Sequence, residues 1–288
     1  MNTITDQTFE GERALFGLQD TRLFRLTFLP GESPVKQAWN IVASHCQFRG
    51  KYPFWHNTNL VIEDCEFTSD ARAAIWYSGN VSMKRCQVDA PKMFREVTGL
   101  TLEDTVFPDA AEFLWNCSDV TLRRVEVSRG DYIFMNGRNI RIDGFRLQGN
   151  YSFQDARDVV IRHARIDSKD AFWNSENVTV IDSVITGEYL GWHSRNLRLI
   201  NCVITGTQPL CYASGLVMEN CTMKDADLCF EYSTLNADIC SDVISIKNPA
   251  GGIIRVQKVE HIIIDDFCPE PGDCEIIETA GVMYASPV

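Results

Sequence analysis

Apolar residues return at fixed offsets along most of the chain, in a short phrase of the form N-V-x-L-x-x-C-x-F with polar residues between. The phrase reads NIVASHCQF from Asn40, NLVIEDCEF from Asn59, NVSMKRCQV from Asn80, GLTLEDTVF from Gly99 and DVTLRRVEV from Asp119. It continues as NIRIDGFRL from Asn139, DVVIRHARI from Asp158, NVTVIDSVI from Asn177, NLRLINCVI from Asn196 and GLVMENCTM from Gly215. Successive starts lie 19 to 21 residues apart, an earlier turn fits at Asp20, and the register blurs after Leu235. The apolar positions fall at offsets 1, 3, 6 and 8, which describes two period-2 strands separated by a corner. A third strand closes each turn, as PFWHN at 53, AIWYS at 74, AFWNS at 171 and LGWHS at 190. No segment holds a 3.6-residue pattern, and β-branched and aromatic residues fill the runs, so helices are excluded. Leucine-rich repeats fail for want of their helical segment and leucine grammar.

The pattern predicts an all-β chain folded as a right-handed parallel β-helix, a solenoid of about eleven to thirteen coils with three short strands per coil. The first position of the phrase holds only Asn, Asp or Gly. Those residues enter the left-handed backbone region at least cost, as a corner between strands requires. Stacked Asn side chains there can also share hydrogen bonds along the axis.

These repeats resemble the pectate-lyase-like superfamily of single-stranded right-handed β-helices, and most of all a bacterial family within it described as a protein of unknown function. The resemblance spans residues 20 to about 234. Its motif is structural, so it implies the fold and carries no catalytic residue across. No calcium cage or acidic cluster of the polygalacturonase or pectate-lyase kind stands in the sequence. The whole chain, 1–288, reads as a single β-helix domain. Residues 1–39 are expected to form the N-terminal cap and first coil, 40–234 the regular coils, and 235–288 irregular C-terminal coils and a cap. The tail GVMYASPV is expected to lie across the last rung.

Coils stack at about 4.8 Å, so each position in phase becomes a ladder along the solid. The offset-6 ladder holds five of the 11 cysteines, Cys46, Cys65, Cys86, Cys202 and Cys221, among apolar neighbours. They read as small buried hydrophobes. Cys268 and Cys274 are spaced too widely for a zinc knuckle and the histidines are scattered, so neither a metal nor a cofactor is expected. Outward offsets 4 and 5 alternate in sign rung by rung, from Glu63 and Asp64 through Lys84 and Arg85 to Glu103 and Asp104. Cross-rung ion pairs of modest strength follow.

The third strand carries the least structural-looking column: Trp55, Trp76, Arg95, Trp115, Met135, Gln154, Trp173, Trp192 and Cys211. Five of the six tryptophans fall in it, beside an apolar column of Phe54, Ile75, Phe94, Leu114, Phe134, Phe153 and Phe172. Alternation puts one column inside and the other outside. The tryptophan column is the better candidate for the outside, since it admits Arg95 and Gln154 and a narrow coil has little room for stacked indoles; the opposite phase would expose the phenylalanines. Next to it runs a polar column of His56, Tyr77, Glu96, Asn116, Asn136, Asp155, Asn174, His193, Tyr212 and Glu231.

An aromatic stripe of that length marks an interaction surface, and flat indoles beside polar groups suit sugar rings. The candidate substrate-binding residues are Trp55, Trp76, Arg95, Trp115, Trp173, Trp192, His56 and His193, with an oligosaccharide or polysaccharide as partner. The alternative is a non-catalytic scaffold whose aromatic stripe, with Arg95 as a cation–π rung, packs a partner or a second copy as a homo-oligomer. If the protein is an enzyme, a polysaccharide lyase or glycoside hydrolase is the expected class. Glu96 and Asp155 lie three coils apart in one column, about 14 Å, too far for a glycosidase pair. Asp155 with Asp170 and Glu96 with Glu112 are the closer candidate catalytic pairs.

Charge bounds these readings. The chain carries 27 basic and 39 acidic side chains, a net of −12, which excludes a nucleic-acid grip and docking on anionic lipid. No apolar run is long enough for a membrane span and the start lacks a secretory pattern, so a cytoplasmic location without membrane contact is expected. Against that acidic background, residues 123–165 hold nine Arg and five acids. Such a band suits an acidic sugar as well as cross-rung pairing.

Overall fold

The computed structural model describes residues 1–268 and 273–279, and the tail GVMYASPV lies outside the described residues. Every strand pairing is parallel, and each strand meets its counterpart about one repeat later: Thr58–Glu63 pairs with Gly79–Lys84, which pairs with Thr98–Glu103. The result is a parallel β-helix of about 14 turns, slightly more than the phrase count predicts. The extra turns come from the ends. Residues 1–19, expected to cap the first coil, form a coil of their own, with Asn2–Thr5 and Thr8–Glu12 paired to Gln19–Phe24 and Thr27–Glu32. At the other end Gly251–Ile263 and Cys274–Glu278 stack in phase beyond Thr234–Lys247. The blur in the sequence coincides with two local register shifts, one between Met218 and Cys221 against Thr234–Lys247 and one between Ile239 and Asp242 against Gly251–Ile263.

The offsets translate directly into an interior. Leu60, Ile62, Cys65 and Phe67 are all buried, as are their counterparts Val81, Met83, Cys86 and Val88 one rung on. Interior phenylalanines stack along the axis. Phe28, Phe48 and Phe67 follow one another at 5.0 and 4.7 Å, and Phe134, Phe153 and Phe172 at 4.4 and 5.0 Å. Stacked rings add to the burial energy of each large side chain. All eleven thiols are free, and the five of the inward column are buried. Contact with the Cys46 and Cys86 thiols, reinforced by burial, pushes the Cys65 thiol pKa upward, so it stays protonated and inert.

Corners set the cross-section. Asn40, Asn59 and Asn80 open successive coils at φ near +55°, and Asp119, Asn139, Asp158, Asn177 and Asn196 do the same further on. Their side chains form ladders: Asn40 Nδ2 donates to Asp20 Oδ1 at 2.8 Å, Asn59 to Asn40 at 2.8 Å and Asn80 to Asn59 at 3.0 Å. A second left-handed corner follows five residues later, and two more bound the third side, as at Tyr132 and Asn136. Residues such as Arg85, His163 and Tyr151 occupy these corners despite a cost of about 1 kcal/mol each. Their backbone N–H groups repay it by donating across coils, as Arg85 does to Glu103 O at 3.1 Å. The third side pairs as strand at Ile75–Trp76 and Phe94–Arg95 and is elsewhere a tight run of turns, still hydrogen-bonded from coil to coil. The 21-residue coil that opens at Asn59 fits its surplus into a 3₁₀ turn, Ser69–Ala71, which turns Ser69 and Asp70 outward while Ala71 stays in the core.

Candidate functional site

The third side resolves the phase question in favour of the tryptophans. Phe54, Ile75, Phe94, Leu114, Phe134, Phe153 and Phe172 are fully buried, while Trp55, Trp76, Trp115, Trp173 and Trp192 lie half-buried on the outer surface. The indoles do not stand apart as separate platforms. Trp55 and Trp76 stack at 5.2 Å and 8°, and Trp173 and Trp192 at 5.6 Å and 28°. The Arg95 guanidinium fills the next rung, 4.4 Å from the Trp76 ring and 4.6 Å from Trp115, and Lys36 closes the other end 5.4 Å over Trp55.

Indole N–H groups are also engaged. Trp55 Nε1 donates to Ala73 O at 2.6 Å, Trp76 to Lys92 O at 2.8 Å and Trp192 to Gln208 O at 2.7 Å; Trp115 donates to Tyr132 O. Four of the five indoles of the column thus tie their own coil to the loop of the next. What the column offers to solvent is ring edges.

Two flanking columns complete the surface. On the trailing edge, His56 and Tyr77 stack at 5.1 Å, and His193 and Tyr212 at 4.8 Å, all four exposed. Tyr232, rather than Glu231, lies next to Tyr212, at 5.5 Å. Glu231 instead turns to Lys247 Nζ at 2.7 Å. On the leading edge stand Tyr52, Tyr132, Tyr151 and Tyr189, with Tyr132 and Tyr151 stacked at 4.7 Å. This tyrosine column escaped the sequence reading, although counting back seven from each start would have found it. The third side therefore gathers five of six tryptophans and seven of eight tyrosines on one surface.

The candidate acids do not converge. Glu112 receives Lys92 Nζ at 2.8 Å and Arg95 Nη2 at 3.0 Å, which commits it to neutralising cations. Glu96 stands on the exposed trailing corner and donates its backbone N–H to Trp115 O, so Glu96 and Glu112 occupy opposite edges of the third side. Asp155 accepts from Asn174 Nδ2 at 2.6 Å and Gln154 Nε2 at 3.2 Å. Asp170 is buried on the leading edge of the following coil, and burial raises its carboxyl pKa. Neither pair frames a common bond.

On the first two sides the expected charge ladders form in part. Arg85 bonds Asp64 at 2.7 Å, Arg124 bonds Asp104 and Glu103 at 2.5 Å, and His163 bonds Asp143 at 2.7 Å. Arg85 holds the Asp64 carboxyl pKa below its ordinary range, as Arg124 does for Asp104. Arg157 and Arg195 share Glu176 at 3.1 Å. Arg123 and Arg162 lie in register with Asp143, yet the described residues give neither an ion pair.

Fold and surface together define a parallel β-helix with one aromatic face. The chain belongs to the family described as Protein of unknown function (DUF3737), whose model matches residues 2–277. No curated protein matches the chain. Among solved structures it is similar to PfbA, a surface adhesin of Streptococcus pneumoniae, at 10% identity over 90% of this chain and 80% of that one, TM-score 0.37. It is similar to the A-module of the Azotobacter vinelandii mannuronan C-5 epimerase AlgE6 at 10% identity over 93% and 87%, TM-score 0.39. It is also similar to the catalytic domain of a GH87 alpha-1,3-glucanase, solved with nigerose, at 7% identity over 87% and 64%, TM-score 0.39. Likeness of this order carries no inference about ligand or chemistry. Among the described residues no helix is long and apolar enough to cross a membrane.

Proposed function

We propose that the third side is a binding face and that it holds an extended oligosaccharide without cleaving it. The observation that carries the reading is the segregation of tryptophan and tyrosine onto one side, half-exposed over most of the solenoid. Such amphipathic rings combine apolar area with a polar handle and dominate binding surfaces. The indoles are half-buried between their neighbours, so the rings most open to a ligand are those of Tyr77, Tyr132 and Tyr212, each stacked on one neighbour yet exposed. Asn116, Asn136 and Asn174 sit along the trailing edge with Tyr77 and Tyr212, across the third side from Tyr132, to meet hydroxyls. Cleavage is left out because Glu112 is neutralised and the candidate acids sit on opposite edges.

Titration with neutral and acidic oligosaccharides, followed by tryptophan fluorescence and calorimetry, tests this. Saturable binding that weakens in Tyr132→Ala and Tyr77→Ala with unchanged circular dichroism supports it; a flat response to every glycan overturns it. A second reading, the aromatic side as a scaffold that docks another copy, draws on the engaged indole N–H groups, which make the column a spine. Under that reading light scattering finds an oligomer that Tyr77→Ala or Tyr212→Ala dissociates.

A further inference from the structure

The second corner of the coil carries a side chain almost everywhere: Asp6, Arg25, His45, Asp64, Arg85, Asp104, Arg124, His163, Asp182, Asn201 and Asn220, all at left-handed φ. Gly144 is the exception, at φ +71°. Its backbone does not demand glycine, because Asp, Arg, His and Asn adopt the same conformation on the other rungs. Packing does not demand it either: a Cβ built there meets Arg124 at 3.5 Å, an ordinary contact. The missing side chain opens a groove of about 730 Å³ across the corner, lined by Arg124, Arg146, His163 and Arg165 together with Glu126.

The charges around this groove are unbalanced. Arg146 and Arg165 are direct register partners on adjacent parallel strands, an arrangement of like charges that costs stability. Glu126 lies in register with Arg146, but among the described residues no carboxylate reaches ion-pair distance of either arginine. Arg124 is already held by Asp104 and Glu103, and His163 by Asp143. Two exposed arginines therefore rise side by side from strands about 4.8 Å apart, beside an open corner, in a chain of net charge −12. Paired guanidinium forks suit the oxygens of an oxyanion, which would relieve their mutual repulsion.

The geometry points to an oxyanion-binding site at the Gly144 corner, with Arg146 and Arg165 as its ligands and a carboxylate, sulfate or phosphate group as its occupant. The site lies on a different side from the aromatic face and does not depend on glycan binding there. Calorimetric titration with sodium sulfate, inorganic phosphate and galacturonate tests it, at ionic strength held constant with sodium chloride. Saturable binding by at least one anion is expected, and the tightest of the three names the source of the oxyanion. Arg146→Gln and Arg165→Gln each weaken it about tenfold, the loss of one charge-assisted contact. Gly144→Asp, the residue that the corner accepts on four other rungs, fills the groove with a built-in carboxylate and abolishes binding while the fold stays intact. Binding that survives Gly144→Asp and both arginine variants overturns the assignment, as does heat that tracks ionic strength alone or no heat with any of the three anions.

Discussion

Arg95 tests whether the outer stack holds coils together. Its guanidinium lies between two indoles and reaches Glu112 at 3.0 Å. Arg95→Met keeps the apolar filling and removes the charge. Two partly desolvated cation–π contacts at about 1 kcal/mol each and one charge-assisted bond at ~2 kcal/mol give a gross loss near 4 kcal/mol. Against this, the buried Arg95 Nε has no partner, and removing it recovers about 1–3 kcal/mol of desolvation. Glu112 is not stranded, because Lys92 stays at 2.8 Å. The net expectation is a loss of about 2 kcal/mol, read as a lower urea midpoint with an unchanged m-value. Arg95→Trp, which extends the column with its own commonest residue, should stay closer to the wild type than Arg95→Met does. An Arg95→Met protein as stable as the parent would refute the reasoning and reduce the guanidinium to a spacer.

Asn59→Asp removes a donor from the middle of an asparagine ladder and should cost about 1–2 kcal/mol, whereas Asp20→Asn at the foot, where the side chain only accepts, should be near neutral; paired urea curves compare them. Phe153→Ala empties the centre of a three-ring interior stack and should lose about 3–5 kcal/mol in the same measurement. Burial raises the Asp170 pKa above its unfolded value, so its contribution to stability is full below an unfolded pKa of about 3.9 and lost as pH rises through the folded value. Asp170→Asn should therefore raise the thermal midpoint at pH 7, with the gain fading on acidification; a gain that is flat with pH would contradict this.

The inward positions were legible because burial acts on each coil alone: Leu60, Ile62 and Phe67 announce their side by alternation. Asn59 and its counterparts announced one corner, since a left-handed turn selects a few residue types. The other corners were silent. Arg85, His163 and Tyr151 bear left-handed strain that inter-coil hydrogen bonds offset, and those bonds belong to the backbone rather than to any residue type. Trp55 and Trp76 were correctly favoured for the outside, but that their faces would be taken up by each other depends on rotamers that no spacing encodes. Gly144 interrupts the offset-5 column in the sequence, but that the corner has room for a side chain depends on backbone geometry that no spacing encodes.

The small helical turn at Ser69–Ala71 has a practical consequence. Strands on either side of it keep their partners although that winding is longer than its neighbours, so surplus length is shed sideways and never transmitted along the axis. The bend leading into the aromatic side is thus a natural graft point, where an added peptide or tag would hang clear of the column like a flag from a mast.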